Sequence, residues 1–170
     1  MASHAMIDQC FWHFRWQHEV PTELIFLPFM CRLRFLEVYI NLNFIMRDFN
    51  LLSSFMESLC ISLTSPATLE HLKFNFQYRN NYYGWHYTLY GDLCNAGVWR
   101  HLDSITTHPT GSRLQRVDIK IDYYDHGITS REFDQDLIEK TVLDGLPLLR
   151  TKGILFVEAV EAPTHMELRT

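Results

Sequence analysis

The stretch Leu114-Gln115-Arg116-Val117-Asp118-Ile119-Lys120-Ile121 decides the architecture. Its apolar residues fall at 114, 117, 119 and 121, with polar residues between them. Period-two alternation marks a β-strand with one buried face and one solvated face. The same L-x-x-Φ-x-Φ-x-Φ spacing (Φ apolar) recurs at Leu69, Leu72, Phe74 and Phe76. It occurs again at Leu33, Leu36, Val38 and Ile40, with Leu42 extending it. Three occurrences in one chain exceed chance. A fourth segment, Gly153-Ile154-Leu155-Phe156-Val157-Glu158, is strand-like with weaker alternation.

Between these segments the period changes. Phe49, Leu52, Phe55 or Met56, Leu59 and Leu63 follow the three-to-four spacing of an amphipathic helix. Leu89, Leu93, Val98, Leu102 and Ile105 give a weaker helical pattern, broken by Gly91 and Gly97. Phe133, Leu137, Ile138, Val142, Leu143 and Leu146 give a third, over Glu132 to Leu146. Ser130 is the expected N-cap of that helix, with Glu132 or Asp134 near its positive end, and Gly145 and Pro147 mark its stop. The order reads β-α-β-α-β-α-β. Strands joined through helices are expected to run parallel, since antiparallel neighbours could be joined by short turns.

Leu33, Leu69, Leu114 and approximately Arg150 anchor the units, at intervals of 36, 45 and 36 residues. Such self-similarity suggests stacked repeats, each unit covering its neighbour's apolar face. Leu36, Val38, Ile40, Leu72, Phe74, Phe76, Val117, Ile119 and Ile121 then share one buried spine. Each such side chain contributes about 1.5–3 kcal/mol. The opposite face is polar: Glu37, Tyr39, Asn41, His71, Lys73, Asn75, Arg116, Asp118 and Lys120. A doubly wound sheet, covered by helices on both faces, would instead show nearly continuous apolar strands. The expected fold is α/β: a short leucine-rich-repeat-like solenoid with parallel strands and helices on its convex side. It comprises residues 33–160, preceded by an aromatic capping segment (1–32) and followed by a tail (161–170).

Three phrases carry a family resemblance: Ser65-Pro66-Ala67-Thr68-Leu69-Glu70-His71-Leu72, Arg113-Leu114-Gln115-Arg116-Val117-Asp118-Ile119, and Leu146-Pro147-Leu148-Leu149-Arg150-Thr151-Lys152-Gly153-Ile154-Leu155. With them, Leu33 to Glu158 resembles the degenerate leucine-rich-repeat region of F-box proteins from mushroom-forming fungi. The resemblance implies an α/β solenoid that recognises proteins, in some members as the substrate-reading part of a ubiquitin ligase. Ubiquitin-ligase components are expected partners on that ground alone. No F-box is visible, because Met1 to Pro21 is too short for that helical module. The sequence resembles the C-terminal part of such a protein.

Composition bounds the rest. Among 170 residues, 47% are hydrophobic and 21% charged, with 12 Phe, 8 Tyr and 4 Trp, which excludes wholesale disorder. The formal charge of −5 argues against nucleic-acid binding, which needs excess positive charge. Cys10, Cys31, Cys60 and Cys94 form no CxxC pair, so zinc-knuckle spacing is absent. They are expected to be buried and reduced. No signal-peptide pattern opens the sequence, and the longest apolar run, Leu24 to Cys31, is interrupted by Pro28. A cytoplasmic or nuclear protein with no membrane partner is expected.

No catalytic motif emerges. G-x-S-x-G and G-x-x-x-x-G-K-[ST] are both missing, and Gly84, Gly91 and Gly97 are spaced too loosely for a dinucleotide fingerprint. His13 and His18 stand five apart, one beyond the spacing that sets two ligands on one helix face. Surface or capping roles suit the nine histidines better, and Asp118, Asp122 and Asp125 read as a solvated, turn-forming set. No cofactor or metal is expected. Between Tyr78 and Tyr90, seven aromatics counting His86 follow no clean period. Two readings stay open for them: a recognition rim, or rings folded back to cap the array. Phe11-Trp12-His13-Phe14-Arg15-Trp16 is expected to cap its first apolar face.

The leading expectation is a non-catalytic protein-interaction domain. Its partner would meet the polar strand face (Tyr39, Lys73, Asn75, Arg116, Lys120) and the aromatic loops (Tyr83, Trp85, Tyr123, Tyr124). Two alternatives stand beside it. One is a small α/β hydrolase or transferase using His and Asp at the strand ends, with His126 or His86 in a deep pocket. The other is a truncated gene product without an independent role.

Overall fold

The computed structural model describes residues 11–16, 33–41, 49–63, 68–80, 96–108, 113–125 and 134–161. Five strands form one all-parallel sheet: β1 (Phe11–Trp16), β2 (Phe35–Asn41), β3 (His71–Asn80), β4 (Arg116–Asp125) and β5 (Leu155–Glu161). Helices alternate with them: α1 (Phe49–Ser62) after β2, and α2 (Ala96–Ser104) with a 3₁₀ turn (Ile105–Thr107) after β3. After β4 come α3 (Gln135–Gly145) and the short α4 (Pro147–Thr151). Spatial order equals chain order, β1-β2-β3-β4-β5. A doubly wound sheet reverses its order at a switch point; this one does not reverse.

The repeat spacing read from the sequence reappears as sheet register. Phe35 pairs with His71, 36 residues on, and His71 with Arg116, 45 on. Each anchor leucine lies two residues before its strand and is buried: Leu33 at 0%, Leu69 and Leu114 at 3% exposure. The residue after it begins the ladder. Arg34 O accepts from both Glu70 N (2.9 Å) and His71 N (3.0 Å), and Glu70 O accepts from both Gln115 N (2.8 Å) and Arg116 N (3.1 Å). Thr68 Oγ1 adds a bond to Leu33 O at 2.9 Å.

The fourth unit departs from the expected spacing. Val117 pairs with Leu155, an interval of 38, which sets Lys152 rather than a residue near Arg150 at the anchor position. The leucines buried ahead of β5 are Leu146 and Leu149, both at 0% exposure. Phe11–Trp16, expected to cap the first apolar face, forms a strand that pairs in parallel with β2 along Phe11↔Phe35 to Trp16↔Ile40. The remainder of the 1–32 and 161–170 segments lies outside the described residues, apart from Glu161 at the end of β5.

All nine spine residues are buried, at 0–1% exposure. Leu52, Phe55, Met56 and Leu59 of α1 join the same cluster, as do Val98, Trp99 and Leu102 of α2, Ile138 and Val142 of α3, and Leu149 of α4. The described helices therefore cover one face of the sheet. Trp99 sets its edge on Phe76 (5.7 Å between ring centroids, 72° between planes). Gly145, the last residue of α3, admits that indole: a Cβ there would lie 2.6 Å from Trp99 Cδ1.

The helix ends correct two sequence readings. Asp134, not Ser130, caps α3, its carboxylate accepting from Leu137 N at 2.9 Å. Pro147 opens α4 instead of only ending α3, which suits its missing N–H and fixed φ. The α4 N-terminus is satisfied across the fold by Asp103 of α2, whose Oδ1 accepts from Leu148 N and Leu149 N, both at 3.0 Å. At its C-terminus, Gly153 N bonds Arg150 O (3.0 Å) and Ile154 N bonds Leu149 O (3.5 Å). This Schellman pairing requires a left-handed residue, and Gly153 supplies it at φ +73°.

Candidate functional site

Because β-strand side chains alternate, burying the spine turns the intervening residues to the opposite face. Those residues are ordered by cross-strand contacts. Glu37 Oε1 on β2 receives Lys73 Nζ at 2.8 Å and Asn75 Nδ2 at 2.8 Å from β3, and the Tyr39 hydroxyl at 3.2 Å from its own strand. On β4, Arg116 Nε donates to both Asp118 oxygens at 2.9 Å, and His71 Nε2 of β3 meets Asp118 Oδ2. Lys120 Nζ pairs with Asp122 Oδ1 at 2.9 Å. At the borders, Phe35 meets the His71 ring edge-on (4.6 Å), and the Arg116 guanidinium lies 4.4 Å above the Phe156 ring of β5.

These contacts reset the acid–base behaviour of the face. Burial pushes the Glu37 carboxyl up, but hydrogen bonds from Lys73, Asn75 and Tyr39, with the Lys73 charge, carry it below its usual range. The Glu37 hydrogen bond raises Lys73, against burial, and the Asp122 hydrogen bond raises Lys120 in the same way. Tyr39 is raised by burial first, then by the Glu37 charge. On the helix side, burial pushes the Cys60 thiol up to about 12, leaving it protonated and inert at neutral pH. Cys10, Cys31 and Cys94 lie outside the described residues.

The residues singled out from the sequence divide into three groups. Tyr39, Lys73, Asn75, Arg116 and Lys120 share the polar face, although Asn75 is only 3% exposed, lying under its neighbours. Tyr124, half-buried, has the same strand parity at the far end of β4. Tyr123 belongs to the other face: it is 8% exposed and stacks on Tyr78, with 5.5 Å between centroids and 11° between planes. Its ring is part of the core cluster. Tyr83 and Trp85 lie outside the described residues, as do His86 and His126. Sequence reasoning missed Phe156, which is 49% exposed at the β5 border, and the pairing of Glu37, His71, Asp118 and Asp122 with their neighbours.

Among the described residues, no group of three or more His, Cys, Asp or Glu is arranged to hold a metal ion. No described helix is long and apolar enough to cross a membrane. An open groove of about 460 Å³ lies at the α3–α4 junction, lined by Leu143, Asp144, Pro147, Arg150 and Thr151. None of these residues belongs to the polar sheet face.

Fold and face together define an α/β domain with an all-parallel sheet, helices on one side and an ordered polar ladder on the other. No protein-family model, no curated protein and no solved structure matches the chain.

Proposed function

We propose that this domain is a non-catalytic protein-binding module, with the polar sheet face as its recognition surface. In this reading the units form a short leucine-rich-repeat-like arc, helices on the convex side and the ladder on the concave one. The unreversed strand order and single helix-covered face support it. The observation that carries the function is the ladder itself. Glu37, Tyr39, Lys73 and Asn75 are held in one geometry across two strands before any partner arrives. A surface whose side chains are already ordered loses less entropy on binding. Partner contact falls to Tyr39, Lys73, Arg116, Lys120 and Tyr124, with Asn75 holding Glu37 from beneath and Tyr83 and Trp85 as the aromatic rim.

The resemblance to fungal F-box proteins adds that the module serves as the substrate-reading part of an adaptor, with ubiquitin-ligase components in its complex.

Capture from a fungal extract tests the reading with three baits: the unaltered domain, Arg116→Glu/Lys120→Glu, and Ile61→Asp. Ile61 is 63% exposed on α1 and serves as the control for the other side. The expected result is a protein retained by the first and third baits and lost from the second. Identical protein profiles on all three baits overturn the polar face as the recognition surface.

A further inference from the structure

On the polar face the cations project and their carboxylates lie beneath them. Lys73 is 33% exposed over Glu37 at 10%, Arg116 is 52% over Asp118 at 16%, and Lys120 is 36% over Asp122 at 16%. His71, at 28%, also stands over Asp118. The chain as a whole carries −5, and among the described side chains of this face three cations stand against four carboxylates. Counting charges therefore misses what an approaching group meets first. Over β3 and β4 it meets ammonium and guanidinium groups. The exposed carboxylate, Glu158, stands to one side on β5, opposite Lys120.

We infer that the partner presents an acidic, extended peptide segment to the strip formed by Arg116, Lys73 and Lys120. This rests on the protein-binding reading and names its ligand chemistry. Arg116 and Lys120 are four residues apart on one strand, about 13 Å at the rise of a β-strand. An extended segment with carboxylates at i and i+4 spans the same distance. Lys73, whose strand neighbour is Asp118, lies between them and takes the carboxylate at i+2. Each recessed acid competes with the incoming one for its cation, so the segment gains only where its carboxylates replace water around the exposed half of each pair. Binding of this kind is local and salt-sensitive, since the net negative charge of the chain supplies no long-range attraction.

Competition by the recessed acids makes the inference testable by a gain of affinity, which misfolding cannot imitate. Fluorescence polarisation is read at low and at physiological salt with three labelled nine-residue peptides of matched length. They carry Glu, Gln or Lys at alternate positions. The unaltered domain is expected to bind the Glu peptide better than the other two, and to lose that preference as salt rises. Asp122→Asn, which keeps the side chain's shape and releases the Lys120 charge, is expected to tighten Glu-peptide binding about threefold. Lys120→Gln is expected to weaken it by a similar factor, with an unchanged melting temperature. Equal binding of all three peptides, or no gain with Asp122→Asn, overturns the acidic segment. A protein that is captured on the polar face yet is indifferent to Asp122→Asn would sink this inference while leaving the protein-binding reading intact. Anionic vesicles and inorganic polyphosphate serve as competitors; displacement of the Glu peptide by them, and not by unlabelled Glu peptide, also overturns it.

Discussion

One sheet separates two chemically opposite environments between adjacent residues. Ile119, on the covered face, is 1% exposed among Val117, Ile121 and the helix side chains. Lys120, on the other face, is 36% exposed and paired to Asp122. The covered face is packed against the helices, so a charge or added volume there is costly. The polar face is held by cross-strand ion pairs and hydrogen bonds that solvent partly replaces. Stability therefore resides on one side of the sheet and freedom to change resides on the other. That division is the physical basis for proposing the polar face as the recognition surface.

The sharpest way to break the comparison is to exchange the chemistry of adjacent residues. Ile119→Asp buries an unpaired carboxylate among apolar side chains and is expected to cost more than about 4 kcal/mol, enough to unfold the domain. Lys120→Ser is expected to move stability by no more than about 0.5 kcal/mol. Thermal denaturation followed by far-ultraviolet circular dichroism reads both. If the two variants melt together, the faces are not distinct.

Away from the sheet, a single methyl group separates crowding from backbone conformation, and two glycines offer the test. At Gly145 the added Cβ would lie 2.6 Å from the indole of Trp99, itself 1% exposed and without room to move. Gly145→Ala is expected to destabilise by about 1–3 kcal/mol, the usual cost of overpacking. Trp99→Leu should make the second substitution nearly silent, because the clash is gone. At Gly153 nothing lies within 4 Å of the added Cβ, and only the backbone angle of +73° objects. Gly153→Ala is expected to cost about 1–2 kcal/mol, at the lower end of the Gly145 range, and Trp99→Leu should leave that cost unchanged. Equal dependence of both glycines on Trp99 would refute the distinction between crowding and conformation. Urea unfolding of the single and double variants measures it.

Much of this division was legible in the sequence because period two is unambiguous where polar and apolar residues alternate. The nine spine residues and the polar residues between them follow directly from Leu36-Glu37-Val38-Tyr39-Ile40 and its two counterparts. The anchor intervals of 36 and 45 equal the register offsets, so the Glu37–Lys73 pair, 36 apart, was within reach of the sequence. Tyr123 escapes a reading in which the alternating segment ends at Ile121. Continued by two residues, the same period puts Tyr123 on the spine with Tyr78. Phe156 was missed because Leu155-Phe156-Val157 has no alternation to read, and only pairing with β4 fixes which residue faces out. Asp103 as the cap of α4 depends on a contact 45 residues away, which no local pattern encodes.

The smallest expected effect is a pH dependence that separates the polar face from the covered one. Glu37 has a carboxyl held below its usual range, so its share of stability is fully present above that range and is lost as pH falls through the lowered folded value. Lys73 is held above its usual range, so its share is present below that range and is lost as pH rises through the raised folded value. Stability is therefore expected to fall gently at both extremes, and Glu37→Gln to flatten the acid side. Lys73→Met sharpens the test. It removes the hydrogen bond and charge that hold Glu37 down while leaving the burial that pushes it up. The Glu37 carboxyl, followed by carbon-13 NMR against pH, should titrate at higher pH in that variant and should not move in Ile61→Asp on the other side of the sheet. A Glu37 titration indifferent to Lys73 would mean that the ladder is a row of independent surface charges, and a face of that kind has no pre-set geometry to offer a partner.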